Sequence, residues 1–260
     1  MDLHLKGRVA LITGASKGIG RAVADVLAAE GCDLVLVARD AGRLSEAAGE
    51  IARRHGVKVA TIAADIADEG EAARLAAEAG PVDILVNNAG AIPRGSILDV
   101  DEQAWRAGWD LKVFGYVRLC RLFLPKMFER GKGVVLNVIG VAGERPDANY
   151  VATTSANAAL MMLTQSLGGD SVRHGVRVVG VNPGLVATDR FLGNIKRRAG
   201  IALGDADRWQ EMIDLPMGRV AEPREIADVV AFLVSDRASY ISGSVVTVDG
   251  GLRARPPAGV

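Results

Sequence analysis

Seven short runs of aliphatic and β-branched residues, each followed by a stretch long enough for a helix, limit this chain to one class of fold. They are VALIT (9–13), DLVLVA (33–38), VKVATIAA (57–64), VDILVNN (82–88), GVVLNVI (133–139), VRVVGVN (176–182) and SVVTVD (244–249). Strands that are apolar at nearly every position must be covered on both faces, and helix-length connections impose parallel pairing. The expectation is a three-layer α/β/α fold around a doubly wound parallel sheet, in one domain over residues 1–260. The segment after the first run shows the helical counterpart: Ile19, Val23, Val26 and Leu27 share one face, with Arg21, Asp25 and Glu30 away from it. A chain of 260 residues, 49% of them hydrophobic, has enough material for one large core. Residues 188–222 are charged and punctuated by glycine, and read as an excursion over the top of the sheet. Within it Phe191, Trp209 and Met212 either line a substrate site or pack on the core. The last residues, RARPPAGV (253–260), read as a loose tail.

Charge excludes some functions. Lysine and arginine number 31, as do aspartate and glutamate, so nothing favours nucleic acid or an anionic membrane as a partner. No apolar run approaches the length of a membrane span and no signal architecture opens the chain. Cys32 and Cys120 stand alone, without a CxxC partner or a nearby histidine pair. Reduced thiols in a soluble cytoplasmic protein are expected, with no disulfide framework and no metal.

The first run leads into GASKGIG at 14–20 and then a helix. Gly14, Gly18 and Gly20 permit a tight turn and let backbone N–H groups approach a pyrophosphate at a helix N-terminus. The second run ends in VLVARD, with Ala38 where an NAD-selecting fold usually places a carboxylate, then Arg39. With Lys17 in the glycine loop, two cations near the adenosine ribose favour NADP(H) over NAD(H). Asp40 can pair with Arg39, and both cations can instead be ordinary solvated charges.

TGASKGIG at 13–20, Asp65 after the third run, NNAG at 87–90, NPGLVATD at 182–189 and SGSVVTVDGG at 242–251 follow in an order that resembles the short-chain dehydrogenase/reductase family from about residue 5 to 252. The resemblance implies a Rossmann-type sheet, usually of seven strands, and a nicotinamide dinucleotide across the C-terminal strand ends. It implies cofactor contacts from Gly14, Ser16, Lys17, Gly18, Ile19 and Gly20, and from Arg39, Asp65 and Ile66, with Asp65 near the adenine. Asn88, Ala89 and Gly90 would line the channel, and Pro183, Gly184, Val186 and Thr188 would hold the nicotinamide. It further implies a homotetramer or homodimer acting on a small molecule. The small-residue and methionine-rich ANAALMMLTQSL (156–167) suits an interface or an ordinary core face.

At the catalytic positions the chain departs from the pattern. In the family a serine positions the substrate carbonyl, a tyrosine moves the proton, a lysine lowers the tyrosine pKa and an asparagine supports a water relay. NAALMMLTQSLGGD (157–170) aligns Asn157 with the lysine and Thr153 with the tyrosine, and LNVIGVAG (136–143) aligns Gly140 with the serine. WDLKVFG (109–115) aligns Lys112 with the asparagine. Tyr150 is out of register: a three-residue slip turns a helical side chain by about 300°, although it remains a candidate surrogate acid. A threonine hydroxyl is too weak an acid to replace an activated phenol, and an asparagine carries no charge to lower a neighbour's pKa. Lys112 has no acidic residue three or four positions away to hold it outward. It can point inward and supply the missing cation, its pKa falling on desolvation, or it can pack its stem and leave its head in water.

The expectation is therefore an NADP-dependent oxidoreductase acting on a carbonyl or alcohol through a rearranged proton relay. Its alternatives are an NADP(H)-binding sensor or partner subunit without dehydrogenase activity, or non-redox chemistry in the same pocket.

Overall fold

Every one of the seven runs forms a strand in the computed structural model, which describes residues 1–255. The strands are β1 (Val9–Thr13), β2 (Asp33–Ala38), β3 (Val59–Ala63), β4 (Ile84–Asn87), β5 (Gly133–Val138), β6 (Val176–Pro183) and β7 (Val245–Val248). They make one sheet in the order β3-β2-β1-β4-β5-β6-β7, with every neighbouring pair parallel. Alternation along β1 shows why these strands have no polar face: Ala10 and Ile12 enter one apolar cluster, and Leu11 enters the cluster on the other side.

The first layer contains α1 (Gly18–Ala29), α2 (Ala41–His55) and α8 (Pro223–Val234), which bury Leu27, Leu44, Ile51 and Val230 against the sheet. On the second face, α3 (Glu69–Glu78) and α5 (Gly115–Arg130) contribute Leu75, Phe123 and Met127. Helix α6 (Val151–Ser171) packs beside α5, where Leu160 meets Tyr116 and Ile139. A buried polar chain joins these layers: Asn87 Nδ2 donates to Asn137 Oδ1 at 2.9 Å, and Asn137 Nδ2 to Thr164 Oγ1 at 2.9 Å. Low local dielectric strengthens these bonds, although Asn87 Oδ1 itself is buried without a partner among the described residues.

Helix α4 (Glu102–Trp109) runs into α5 through one π-helical turn, Asp110–Phe114, which contains Lys112. Residues 188–222 form α7 (Asp189–Leu203) and a 3₁₀ segment, Ala206–Met212, above the strand ends. Phe191 and Trp209 meet edge to face at 6.3 Å between ring centroids, so within the excursion these two rings pack on each other. The start of the supposed tail is tied down: Arg253 pairs with Glu144 and Arg255 with Asp214. The remainder of that tail, 256–260, lies outside the described residues. No helix among the described residues is long and apolar enough to cross a membrane.

The tightest helix-to-sheet approach is at Gly168 of α6, where a Cβ would lie 2.2 Å from the Gly243 nitrogen and 2.4 Å from its Cα. A Cβ on the adjacent Gly169 meets nothing within 4 Å. Gly168→Ala is expected to lower stability by about 1–3 kcal/mol through overpacking. Gly169→Ala should be neutral or stabilising by up to about 1 kcal/mol through helix propensity. Urea denaturation of the two variants beside the parent measures both.

Candidate functional site

Strand order reverses between β1 and β4, and the loops leaving these two strands diverge. Ligands of open α/β sheets bind at such a switch point. A cleft of about 560 Å³ opens there, walled by the loops after β1, β2, β3 and β4 and by the start of α7. Of the residues expected to hold a cofactor, Gly14, Ser16, Lys17, Gly18, Ile19, Arg39, Asp65, Ile66, Asn88, Ala89, Gly90 and Thr188 all line it.

The glycine loop keeps its shape for identifiable reasons. Gly14 and Gly18 have φ of +66° and +58°, a region in which a side chain is strained. Gly20 does not line the cleft: a Cβ there would sit 2.4 Å from the Gly14 carbonyl oxygen and 2.5 Å from Asn88 Nδ2. Its role is to let α1 close on the loop. Helices α2, α3, α4 and α7 have their first turns capped by the side chains of Asp40, Asp68, Asp101 and Thr188. Helix α1 has no side-chain cap at Lys17, so its first N–H groups are left to a ligand or solvent. A glycine cradle without Cβ atoms, an uncapped helix start and the adjacent lysine suit the pyrophosphate of a dinucleotide.

Thr13, the one hydroxyl in an otherwise apolar β1, locks this loop to its neighbour. Its Oγ1 accepts from the Asn88 and Ala89 backbone N–H groups at 2.9 and 3.0 Å. In return Asn88 Nδ2 donates to the Thr13 carbonyl at 2.9 Å. The polar end of the strand VALIT was the signal for this residue, which motif reasoning alone passes over.

At the end of β2, Arg39 and Asp65 face one another at 3.7 Å. The Asp40–Arg39 pair considered from sequence does not form, because Asp40 is the N-cap of α2. Its Oδ1 accepts from the Arg43 N–H at 3.0 Å, and its Oδ2 lies 3.4 Å from Arg43 Nε. Arg43 thereby becomes a further cation of the cleft wall, and Arg39, with 67% of its side chain exposed, keeps donors free for a 2′-phosphate.

The Pro183–Thr188 segment divides into supports and lining. Gly184 allows the turn after β7 to approach, since a Cβ would lie 2.8 Å from Asp249 Cα. Val186 is buried and bridges to Ala221, Pro183 is buried at the end of β6, and Thr188 reaches the cleft.

Beyond Gly90, three side chains take three consecutive carbonyls at the end of β5. Tyr116 Oη donates to Val138 at 2.9 Å, Lys112 Nζ to Ile139 at 2.6 Å and Asn157 Nδ2 to Gly140 at 3.3 Å. Lys112 thus points inward. Its stem runs against Gly90, where a Cβ would meet Lys112 Cδ at 3.0 Å. Burial, with the Arg190 charge second, pulls the ammonium pKa from 10.5 down to about 8. Thr153 Oγ1, Thr154 Oγ1 and Asn157 Oδ1 are buried without a hydrogen-bond partner among the described residues. A buried polar atom left unpaired is costly; Asn87 Oδ1 and Arg130 Nε are in the same state, and neither Thr153 nor Asn157, which was expected to contact the cofactor, lines the cleft.

Gly140 has φ +139°, and a Cβ there would lie 2.9 Å from Asn157 Nδ2. Its backbone and the Asn157 amide occupy the space a larger residue would need. Its N–H donates to Asn182 Oδ1 at 3.2 Å, and Asn182 Nδ2 donates in turn to Glu144 Oε1 at 2.5 Å. Burial pushes the Glu144 carboxyl up, but the bonds from Thr247 and Asn182 and the Arg253 charge outweigh it and hold the group below its ordinary range. Tyr150 sits just before α6 and carries the Arg94 guanidinium 5.6 Å above its ring.

Residues 14–253 match the family model described as Enoyl-(Acyl carrier protein) reductase. The chain is 35% identical over 254 residues to 2-keto-3-deoxy-L-fuconate dehydrogenase of Xanthomonas campestris pv. campestris, covering 96% of this chain and 81% of that protein. It is 35% identical over 256 residues to L-xylulose reductase of Bos taurus, covering 98% of this chain and all of the relative, 100%. Among solved structures, L-sorbose reductase from Gluconobacter frateurii, complexed with NADPH and L-sorbose, superimposes with a TM-score of 0.94 at 35% identity. That likeness covers 98% of this chain and 100% of the other.

The lowered Lys112 pKa has a thermodynamic signature. Between about pH 8 and 10.5 the unfolded chain holds a proton at Lys112 that the folded chain has released. Stability contributed through this group therefore rises with pH across that window. Compared with Lys112→Met, the parent protein should gain roughly 1–3 kcal/mol between pH 7 and pH 10.5. Paired urea titrations at the two pH values read this gain, and parallel behaviour of the two proteins would contradict it.

Proposed function

The chain belongs to the short-chain dehydrogenase/reductase family, and from that premise we propose that it is an NADP(H)-dependent oxidoreductase of carbonyl and alcohol groups on a sugar-like small molecule, using Lys112 for the proton. The observation that carries this reading is the inward Lys112 ammonium, held on the Ile139 carbonyl with its stem against Gly90, a residue of the cleft wall. NADP is supported by Lys17, Arg39 and Arg43 in the cleft wall, and by the NADPH complex of the 35% identical L-sorbose reductase. A sugar-like substrate is supported by the names of several relatives, L-xylulose reductase and L-sorbose reductase among them.

When bound, the nicotinamide ring supplies or accepts the hydride. The chain's own residues do the rest. In reduction, the substrate carbon gains the hydride and its oxygen takes a proton from Lys112 Nζ, which solvent later returns. Protonated Lys112 also places positive charge where the oxyanion develops. Thr153 Oγ1 donates a hydrogen bond to the substrate oxygen, and Asn157 Oδ1 accepts from a ribose hydroxyl, which would satisfy both unpaired atoms. Gly140, Thr153, Asn157 and Lys112 in this reading stand where the family has serine, tyrosine, lysine and asparagine. Restoring serine alone at 140 would strain the backbone and press on Asn157. In this reading the proton step is given to Lys112 and not to Tyr150, whose ring carries the Arg94 guanidinium. The exposed Phe114 and Met162 support assembly into a homo-oligomer, which light scattering of the purified protein tests.

The protein with NADPH should consume cofactor on a ketose panel that includes L-xylulose and L-sorbose. Reduction should slow as pH rises through about 8, since Lys112 must carry its proton. Lys112→Met should lower turnover about 10²–10⁴-fold, the usual contribution of a general acid, while NADPH affinity stays within a few-fold. Unchanged turnover in that variant removes Lys112 from the mechanism. Tight NADPH binding without consumption on any carbonyl replaces the enzyme by a cofactor-binding sensor or partner subunit.

A further inference from the structure

Arg190, the second residue of α7, lies in the cleft wall, and the proton step does not use it. Its Nη1 donates to the Gly90 carbonyl at 3.0 Å and its Nη2 to the Ile92 carbonyl at 3.2 Å. The side chain therefore spans from the excursion to the loop after β4. A guanidinium carries about five N–H donors in a rigid fork, so these bonds leave donors uncommitted. Arg39 and Arg43 in the same cleft are matched by carboxylates at 3.7 and 3.4 Å, whereas Arg190 has no carboxylate partner among the described residues.

Its position along the cleft is fixed by a close approach. A Cβ on Gly18 would sit 3.2 Å from Thr188 Cγ2, so the start of α7 lies against the start of α1. Arg190, two residues after Thr188, lines the same cleft as the uncapped first turn of α1. The Arg39–Asp65 pair lines the same cleft, and the Lys112 ammonium feels the Arg190 charge.

We propose that Arg190 clamps the pyrophosphate of the bound dinucleotide, gripping from the α7 side the group that the first turn of α1 receives from the other. The proposal rests on the reading of the cleft as an NADP(H) site. Arginine suits the task because its fork matches two phosphate oxygens at once. A bond kept to the Gly90 or Ile92 carbonyl would let the same side chain tie the excursion to the opposite loop across the ligand.

The test uses the full-length protein, fluorescence titration and two probes, NADPH and adenosine 2′-phosphate. The second probe has the adenosine and the 2′-phosphate but no pyrophosphate. Arg190→Gln should raise the NADPH Kd by about tenfold or more, the scale of a lost charge-assisted contact. It should leave the adenosine 2′-phosphate Kd within about twofold and make NADPH binding less sensitive to salt. Arg190→Lys should recover part of the loss, retaining charge without the fork. Equal NADPH affinity in parent and Arg190→Gln overturns the clamp while leaving the cofactor site intact. Equal weakening of both probes also overturns it, making Arg190 a fastener between loops. A parent protein that binds neither probe removes the cofactor reading beneath the proposal.

Discussion

The pairing of β1 with β4 governs the rest of this molecule. Ala10, Leu11 and Ile12 register with Ile84, Leu85 and Val86, and past that point the two chains turn to opposite sides. A gap at the strand ends follows from the topology, and the chain keeps it open but rigid. Thr13 Oγ1 takes the Asn88 and Ala89 N–H groups, and Asn88 returns its amide to the Thr13 carbonyl. One hydroxyl and one amide thereby hold both walls of the cleft at fixed separation. The buried Asn87–Asn137–Thr164 chain behind them passes that rigidity to β5 and α6.

Charge is distributed along the cleft in two regimes. At the outer end Arg39 with Asp65 and Arg43 with Asp40 are near-neutral pairs, exposed enough for water to screen them. Lys17 and Arg190 in the cleft wall, and Lys112 behind Gly90, have no carboxylate partner among the described residues. An ordinary surface tolerates unpaired cations because water solvates them. Lys112 is different, since burial lowers its pKa and its ammonium donates to a backbone carbonyl with no carboxylate nearby. Retaining a desolvated ammonium costs stability, and perturbed groups of this kind gather where chemistry is done.

The end of β5 shows how one residue conditions another. Glycine at 140 permits φ +139° and leaves room for the Asn157 amide to reach the Gly140 carbonyl. Lys112 and Tyr116 fill the two carbonyls before it, from a helix widened by a π turn at Asp110–Phe114. Side-chain size, backbone conformation and hydrogen bonding at these positions are mutually dependent.

Patterning determined much on its own. Seven apolar runs with helix-length connections dictated the doubly wound sheet, because an all-apolar strand has nowhere to go but between two layers. GASKGIG after a strand placed the glycine loop, and 12 of the residues assigned to a cofactor line the cleft. The family resemblance assigned Gly140 and Asn157 to one site, and the folded chain joins them through Asn157 Nδ2 on the Gly140 carbonyl. What sequence could not settle was direction and partnership. Lys112 inward or outward depends on whether Gly90 leaves room for its stem and on where the Ile139 carbonyl points. Asp40 abandoned Arg39 because the α2 N–H groups claimed it. Gly20, Gly184 and Val186 lie outside the cleft lining, and Arg190 reached it from about a hundred residues downstream of Gly90 in the chain. These outcomes turn on which groups from distant segments compete for the same few ångströms, and only the folded chain brings those competitors together.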